Sequence, residues 1–280
     1  MIRATTIRSN SFYVSHAVVR LELFGEDGQL INHASGFIID ERDFLSLYTC
    51  WHVVTGVDPY SLPRVRPRKR VRMNVHTLVS ESRASGVTAI GGSGYFTLEL
   101  YNDAGRPNWA QSLAQEGCEN VELPVPHWDC VRIDVERFRE KIVGAFHPDD
   151  DILNYLDISE DAFIVGYPFG YSAAGDSPYP IFLRRTRASS MQKSAFTLLD
   201  GPGAPGMSGG PVVTRINNEW RLAGIYCGVE FPEAARSVGA LGPEIKESRL
   251  PLGRYLETVV ARQVVGVPPI LMGLHTITGS

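Results

Sequence analysis

The stretch Gly201-Pro202-Gly203-Ala204-Pro205-Gly206-Met207-Ser208-Gly209-Gly210-Pro211-Val212-Val213 sets five glycines and three prolines around one serine, ahead of a β-branched run. Glycine reaches backbone conformations closed to other residues and proline fixes φ, so a segment of this kind can hold one hydroxyl and its neighbouring N–H groups in place. The same composition also describes a plain surface loop. A hydroxyl is a useful nucleophile only when a base removes its proton and a third group orients that base. Ser208 is the candidate nucleophile and His52 the candidate base, the latter in Cys50-Trp51-His52-Val53-Val54-Thr55-Gly56, where a strand gives way to a short turn. A histidine there otherwise has a structural role. Asp129 opens an alternating strand, Asp129-Cys130-Val131-Arg132-Ile133-Asp134-Val135, as either a strand-start cap or the orienting carboxylate. Asp134 and Asp103 compete for the second role. His, Asp and Ser stand along the chain in one of the few orders in which this set recurs.

These residues need rigid elements to bring them together, and the bulk properties allow for such elements. The 280 residues are 44% hydrophobic and 21% charged, an ordinary balance for a soluble globular chain. A net charge of −4 and a pI near 6.0 give no overall attraction to nucleic acid, so nucleic acid is not an expected partner. The first twenty residues lack the apolar run of an export signal and no stretch approaches a membrane span, which makes the cytoplasm the expected compartment. The four cysteines, at 50, 118, 130 and 227, follow no zinc-site spacing and read as small buried hydrophobes rather than a disulfide or redox set. Neither a metal nor a cofactor is expected.

Short strands dominate the chain in order. Val18 to Leu23, Ser35 to Ile39, Phe44 to Thr49, Phe96 to Tyr101 and Val131 to Val135 form a first half. Residues 78–93, rich in Ser and Gly, read as a loop or a pair of weak strands, and Glu136 to Ile142 as one helical turn. Ala162 to Gly166, Pro180 to Arg184, Ala195 to Asp200, Pro211 to Thr214 and Trp220 to Gly228 form a second half. Arg64 to Arg72 holds six basic residues in nine and reads as a charged loop guarding a strand edge. Leu252, Tyr255, Leu256, Val259 and Val260 fall on one face of a helix. The plan is an all-β chain: an N-terminal extension 1–16, a first β-barrel 17–135 with an insertion at about 60–120, a linker 136–158, a second β-barrel 159–250, a C-terminal helix 251–263 and a tail 264–280.

Ser35-Gly36-Phe37-Ile38-Ile39, Thr49-Cys50-Trp51-His52-Val53-Val54, Asp129-Cys130-Val131-Arg132-Ile133, Ile164-Val165-Gly166-Tyr167-Pro168-Phe169-Gly170 and Gly206-Met207-Ser208-Gly209-Gly210-Pro211-Val212 resemble the conserved blocks of trypsin-like serine peptidases. The likeness is to the bacterial branch with few or no disulfides, related to HtrA-type and single-domain peptidases, and runs from about residue 17 to 260. It implies a double β-barrel of the chymotrypsin type with the site between barrels. It also implies His52 as general base and acid, Asp129 as its orienting group, Ser208 as nucleophile, and the backbone N–H groups of Gly206 and Ser208 as an oxyanion hole. The expected activity is serine endopeptidase, and the expected partner a protein or peptide substrate.

Two departures from the digestive members carry expectations of their own. Met207 stands where those enzymes have the aspartate that receives a new N-terminus, so the chain is expected to be competent as synthesised. Pro202 stands where trypsin has its pocket acid, and with Tyr226 and Gly228 it forms the expected substrate pocket. A small or apolar residue before the cut follows. Gly206 to Gly210 also matches the G-x-S-x-G elbow of α/β-hydrolases, with His275 as its only downstream histidine. A further alternative is a peptidase fold used as a regulated or latent binding module.

Overall fold

Val18, Val19, Leu21 and Leu23 are buried while Arg20 and Glu22 are half-buried, and this period of two builds the first strand, β1 (Val18–Gly25). The computed structural model describes residues 11–41, 44–57, 69–82, 88–111, 126, 128–148, 156–171, 179–190, 196–230 and 252–257. A short helix, α1 (Ser11–Ala17), precedes β1, and β2 (Leu30–Asp40) and β3 (Leu45–Thr49) follow it. Then come α2 (Trp51–Thr55), β4 (Arg70–Ser82), β5 (Thr88–Glu99), β6 (Ala110–Gln111) and β7 (Val131–Asp134). These strands form a seven-stranded antiparallel sheet in the order β5-β4-β1-β2-β3-β7-β6.

The second unit contains β8 (Asp161–Gly166), β9 (Ile181–Ser190), β10 (Phe196–Leu199), β11 (Pro211–Ile216), β12 (Glu219–Glu230) and β13 (Leu252–Glu257). They close as an antiparallel barrel in the order β10-β13-β12-β11-β8-β9. The architecture is the double β-barrel that the sequence implied. Closure leaves no free sheet edge in this unit. The larger apolar core runs across both units: Leu21, Phe37, Leu47 and Trp51 from the first meet Val165, Tyr167, Val213 and Ile225 from the second. The cleft between the units therefore rests on a continuous packed base.

Three boundaries differ from expectation. Residues 252–257 are the strand β13, not the start of a helix, and they extend the second barrel past residue 250. The helical spacing of Leu252, Tyr255 and Leu256 lost to the two facing strand edges, β10 and β12, which β13 pairs on both sides; residues 258–263 lie outside the described residues. Of the extension 1–16, residues 11–16 are not separate from the fold, since α1 buries Val14 and Ala17 in the core and Tyr13 donates to the carbonyl of Ala145 at 3.2 Å; residues 1–10 lie outside the described residues. The described end of the basic run, Arg70 to Arg72, is not at a sheet edge, because it opens β4, which lies between β5 and β1. Of that run, Arg72 packs on the Phe24 ring 5.0 Å away, and residues 64–68 lie outside the described residues. The helical turn expected at Glu136 to Ile142 is a 3-10 turn at Glu136–Lys141, and residues 78–82 and 88–93 form the ends of the strand pair β4 and β5. No helix among the described residues is long and apolar enough to cross a membrane.

Candidate active site

His52 sits in the first turn of α2, directly after β3. Arg70 fastens that turn: its guanidinium donates to the carbonyl of His52 at 3.0 Å, which also accepts the Gly56 N–H at 2.8 Å, and to the carbonyl of Val53. Burial pulls the Arg70 pKa down to about 10, which still leaves it charged at neutral pH. Asp129, just before β7, is wholly buried and spends both oxygens on His52. Oδ1 accepts the His52 backbone N–H at 2.9 Å, and Oδ2 lies 2.7 Å from Nδ1. A carboxylate only accepts, so Nδ1 carries the proton and Nε2 is left with a lone pair.

The rival carboxylates are elsewhere. Asp134 is exposed and caps the N–H of Glu136 at 2.8 Å, and Asp103 is exposed in the turn after Tyr101. Three thiols surround the chosen one: Cys50, Cys130 and Cys227 are buried and free. Cys227 Sγ lies 3.7 Å from the carbonyl oxygen of Asp129, and the Cys50 and Cys227 sulfurs and an Asp129 oxygen are all within 4.8 Å of one another. Burial pushes the Cys50 and Cys130 thiols well above their ordinary range, so both stay protonated as small apolar fillers. Cys118 lies outside the described residues.

Ser208 comes from the other unit, and glycine lets its loop reach the histidine. Gly209 has φ +83°, and a Cβ there would lie 2.2 Å from Thr49 Oγ1, 2.3 Å from the carbonyl oxygen of Ser35 and 3.1 Å from the Cys50 nitrogen. Only hydrogen in that place allows the residue after Ser208 to press on the strand end that launches His52. The Tyr226 carbonyl seals the seam by accepting from the Gly209 N–H at 2.8 Å and from the Cys50 thiol at 3.3 Å. The structure thus brings together His52 and Asp129 by direct hydrogen bonds and seats the Ser208 loop against their base. The Ser208 hydroxyl itself bonds to no described residue, a looseness common in sites without substrate.

The backbone beside Ser208 has two spare donors. The N–H groups of Met207, Gly209 and Gly210 donate to the carbonyls of Ala204, Tyr226 and Met207, while those of Gly206 and Ser208 donate to none of the described residues. Each spare donor has its direction set from behind. In a trans peptide C=O and N–H point opposite ways. Pro205 O accepts from the Phe169 N–H at 2.6 Å, and Met207 O from the Gly210 N–H at 3.0 Å, so the Gly206 and Ser208 N–H groups face away from those partners.

Ser35 is a site residue that sequence reasoning missed. Its hydroxyl donates to the Gly206 carbonyl at 2.8 Å and accepts from the Tyr167 N–H at 2.9 Å, while its own N–H donates to the Ser208 carbonyl at 3.0 Å. One buried serine of β2 therefore holds both ends of the Gly206 to Ser208 segment. Its signal in the sequence was its place at the head of the Ser35-Gly36-Phe37-Ile38-Ile39 block, which did not show what its hydroxyl would meet. Ser35→Ala leaves a buried carbonyl and a buried N–H short of a partner, at about 1–3 kcal/mol of stability. Urea unfolding is expected to show that loss together with slower covalent labelling of Ser208; an unchanged midpoint would remove the clamp.

The expected pocket residues take three different places. The Pro202 carbonyl is held by Arg185, whose Nε and Nη2 donate to it at 3.1 and 2.7 Å. Gly228 has φ +124° and open space where a Cβ would be. Tyr226 is only 2% exposed, so its ring fills space rather than lining it. The Ser208 loop runs into a strand, β11, and not into a helix, which is incompatible with the α/β-hydrolase elbow; His275 lies outside the described residues.

The family model described as "Trypsin-like peptidase domain" matches residues 34–225, a span that includes His52, Asp129 and Ser208. No curated protein sequence matches the chain. Among solved structures, the chain is similar to a substituted form of the HtrA-type protease AlgW with a tripeptide, at 16% identity and a TM-score of 0.51, covering 95% of this chain and 64% of that one. It is also similar to AL20, a thermostable serine protease from an extremophilic microorganism, at 10% identity and a TM-score of 0.50, covering 89% of this chain and 94% of that one. At these identities the structural likeness shows the fold alone, and this chain spans less than two thirds of the AlgW chain.

Proposed function

The chain belongs to the trypsin-like peptidase family, and from that membership we propose that it is a serine endopeptidase in which His52, Asp129 and Ser208 form the catalytic triad. The observation that carries the reading is the buried Asp129 carboxylate gripping both the backbone N–H and Nδ1 of His52. That grip leaves Nε2 as the base.

In this reaction Ser208 Oγ attacks the scissile carbonyl carbon as its proton passes to His52 Nε2, and Asp129 stabilises the imidazolium. The carbonyl electrons move onto oxygen, and the spare N–H groups of Gly206 and Ser208 receive the oxyanion. His52 then gives its proton to the leaving nitrogen, the C–N bond breaks, and an ester on Ser208 remains. Water attacks the ester with His52 again as base, releasing the acid and restoring the serine. Met207 is buried and uncharged, so the loop needs no ion pair with a new N-terminus, in keeping with a chain that is competent as synthesised. A small or apolar residue before the cut fits a loop that offers Lys or Arg no carboxylate at position 202, where the Pro202 carbonyl is instead held by the Arg185 guanidinium.

A fluorophosphonate probe tests the assignment without knowledge of the substrate. The wild-type chain is expected to be labelled on Ser208, with labelling absent in Ser208→Ala. A folded wild type that takes no label would favour the alternative of a latent binding module.

A further inference from the structure

Tyr226 belongs to β12 and Gly203 to the loop ahead of Ser208, the two segments that the peptidase reading sets around the residue before the cut. We propose that the Tyr226 ring is a built-in stopper for the pocket of that residue, restricting it to glycine, alanine or serine. The inference rests on the peptidase reading above and narrows it.

The ring spans from one segment to the other. Its hydroxyl oxygen accepts the Gly203 N–H at 2.7 Å. A Cβ on Gly203 would lie 2.7 Å from Tyr226 Cε1, 2.8 Å from Cζ and 3.1 Å from the hydroxyl oxygen, so the ring end rests directly on the opposite backbone. Behind it, Leu199, Met207 and Val212 belong to the same buried cluster, with Ala204 packed against it. Below, Arg185 clamps Pro202, the residue before Gly203. A leucine or phenylalanine side chain from a substrate would have to displace a ring that is anchored at its tip and packed over its body. Dense packing leaves no room for both.

The main chain of Tyr226 is held independently of its side chain. Its N–H donates to the Gly210 carbonyl at 2.9 Å and its carbonyl accepts from Gly209 and Cys50. A smaller residue at 226 should therefore open the pocket while Ser208 keeps its seat.

The test compares wild type, Tyr226→Phe, Tyr226→Leu and Tyr226→Ala on peptide p-nitroanilides that differ only in their last residue, Ala, Leu or Phe. Fluorophosphonate labelling reports the nucleophile separately. Wild type and Tyr226→Phe are expected to prefer Ala over Phe in kcat/KM by about 10²-fold, a discrimination within reach of pocket shape. Tyr226→Ala should shift the ratio toward Leu and Phe by roughly tenfold or more, and added p-cresol, the missing side chain, should restore the small-residue preference. Tyr226→Leu removes the ring end that reaches Gly203 while keeping part of the core contact, and carries the same expectation where the alanine variant does not fold. Wild type that cleaves after Phe as readily as after Ala would overturn the proposal. So would a labelled Tyr226→Ala or Tyr226→Leu with wild-type ratios. If wild type neither labels nor cleaves, the peptidase reading fails and p-cresol alone decides the pocket. A rise in the melting temperature of Tyr226→Ala, or of Tyr226→Leu, but not of wild type, supports a fillable pocket, and no rise in any of them overturns it.

Discussion

Asp129→Asn is expected to slow both fluorophosphonate labelling of Ser208 and peptide hydrolysis by about 10⁴, the size of loss seen when the orienting carboxylate of a serine triad becomes an amide. The reason is a shortage of acceptors. The carboxylate accepts twice from His52, from the backbone N–H at 2.9 Å and from Nδ1 at 2.7 Å, in a wholly buried place. An amide has one oxygen and one NH₂. If the oxygen stays with the backbone N–H, the NH₂ faces Nδ1 and makes it an acceptor. The imidazole proton then moves to Nε2, and the base is blocked. If the amide turns over, NH₂ meets N–H and two buried donors oppose each other. Labelling rates, paired with a thermal melt to show that the variant is folded, measure the effect. A loss below tenfold in a folded variant would mean that Asp129 does not orient His52, and Asp134→Asn serves as the exposed control with no expected loss.

The second large effect is expected at Gly206. Its φ of +92° is a region that side chains rarely adopt, and a Cβ would lie 2.6 Å from the Tyr167 carbonyl oxygen and 2.8 Å from the Phe169 nitrogen. Gly206→Ala therefore has to break the Phe169 N–H bond to Pro205, the contact that turns the Gly206 N–H outward. Loss of one oxyanion donor costs about 10²–10³ in kcat. Hydrolysis of fluorescein-casein should fall by at least that factor in a chain that still folds but melts at a lower temperature, because a side chain at this φ strains the loop as well. An unchanged kcat would show that the Gly206 N–H does not face the developing charge.

Much of this site was legible because the signals are local. The glycines and prolines around Ser208 constrain their own backbone, and the strand ending before His52 is visible in the alternation from Phe44 to Thr49. The strands of both units could be read the same way, because a period of two reports which face each residue turns inward. Residues whose roles depend on distant partners were hidden. Ser35 looked like any small residue of its block until its hydroxyl met Gly206 and Tyr167, far along the chain. Cys227, read only as a small buried hydrophobe, turns its sulfur toward the main-chain carbonyl of Asp129.

The sequence by itself determined the strand pattern, the three reactive residue types and their order, since each follows from local backbone preference and side-chain chemistry. The residue pattern alone left Asp103 and Asp134 beside Asp129; the family resemblance implied Asp129, and the tertiary structure buries that carboxylate against His52 because β3 pairs with β7. It also made residues 252–257 a strand, because β10 and β12 offered two unpaired edges whose hydrogen bonds outweigh the helical spacing of the side chains. And it buried the Tyr226 ring with its hydroxyl on the Gly203 N–H, a contact that no local signal in the sequence announces.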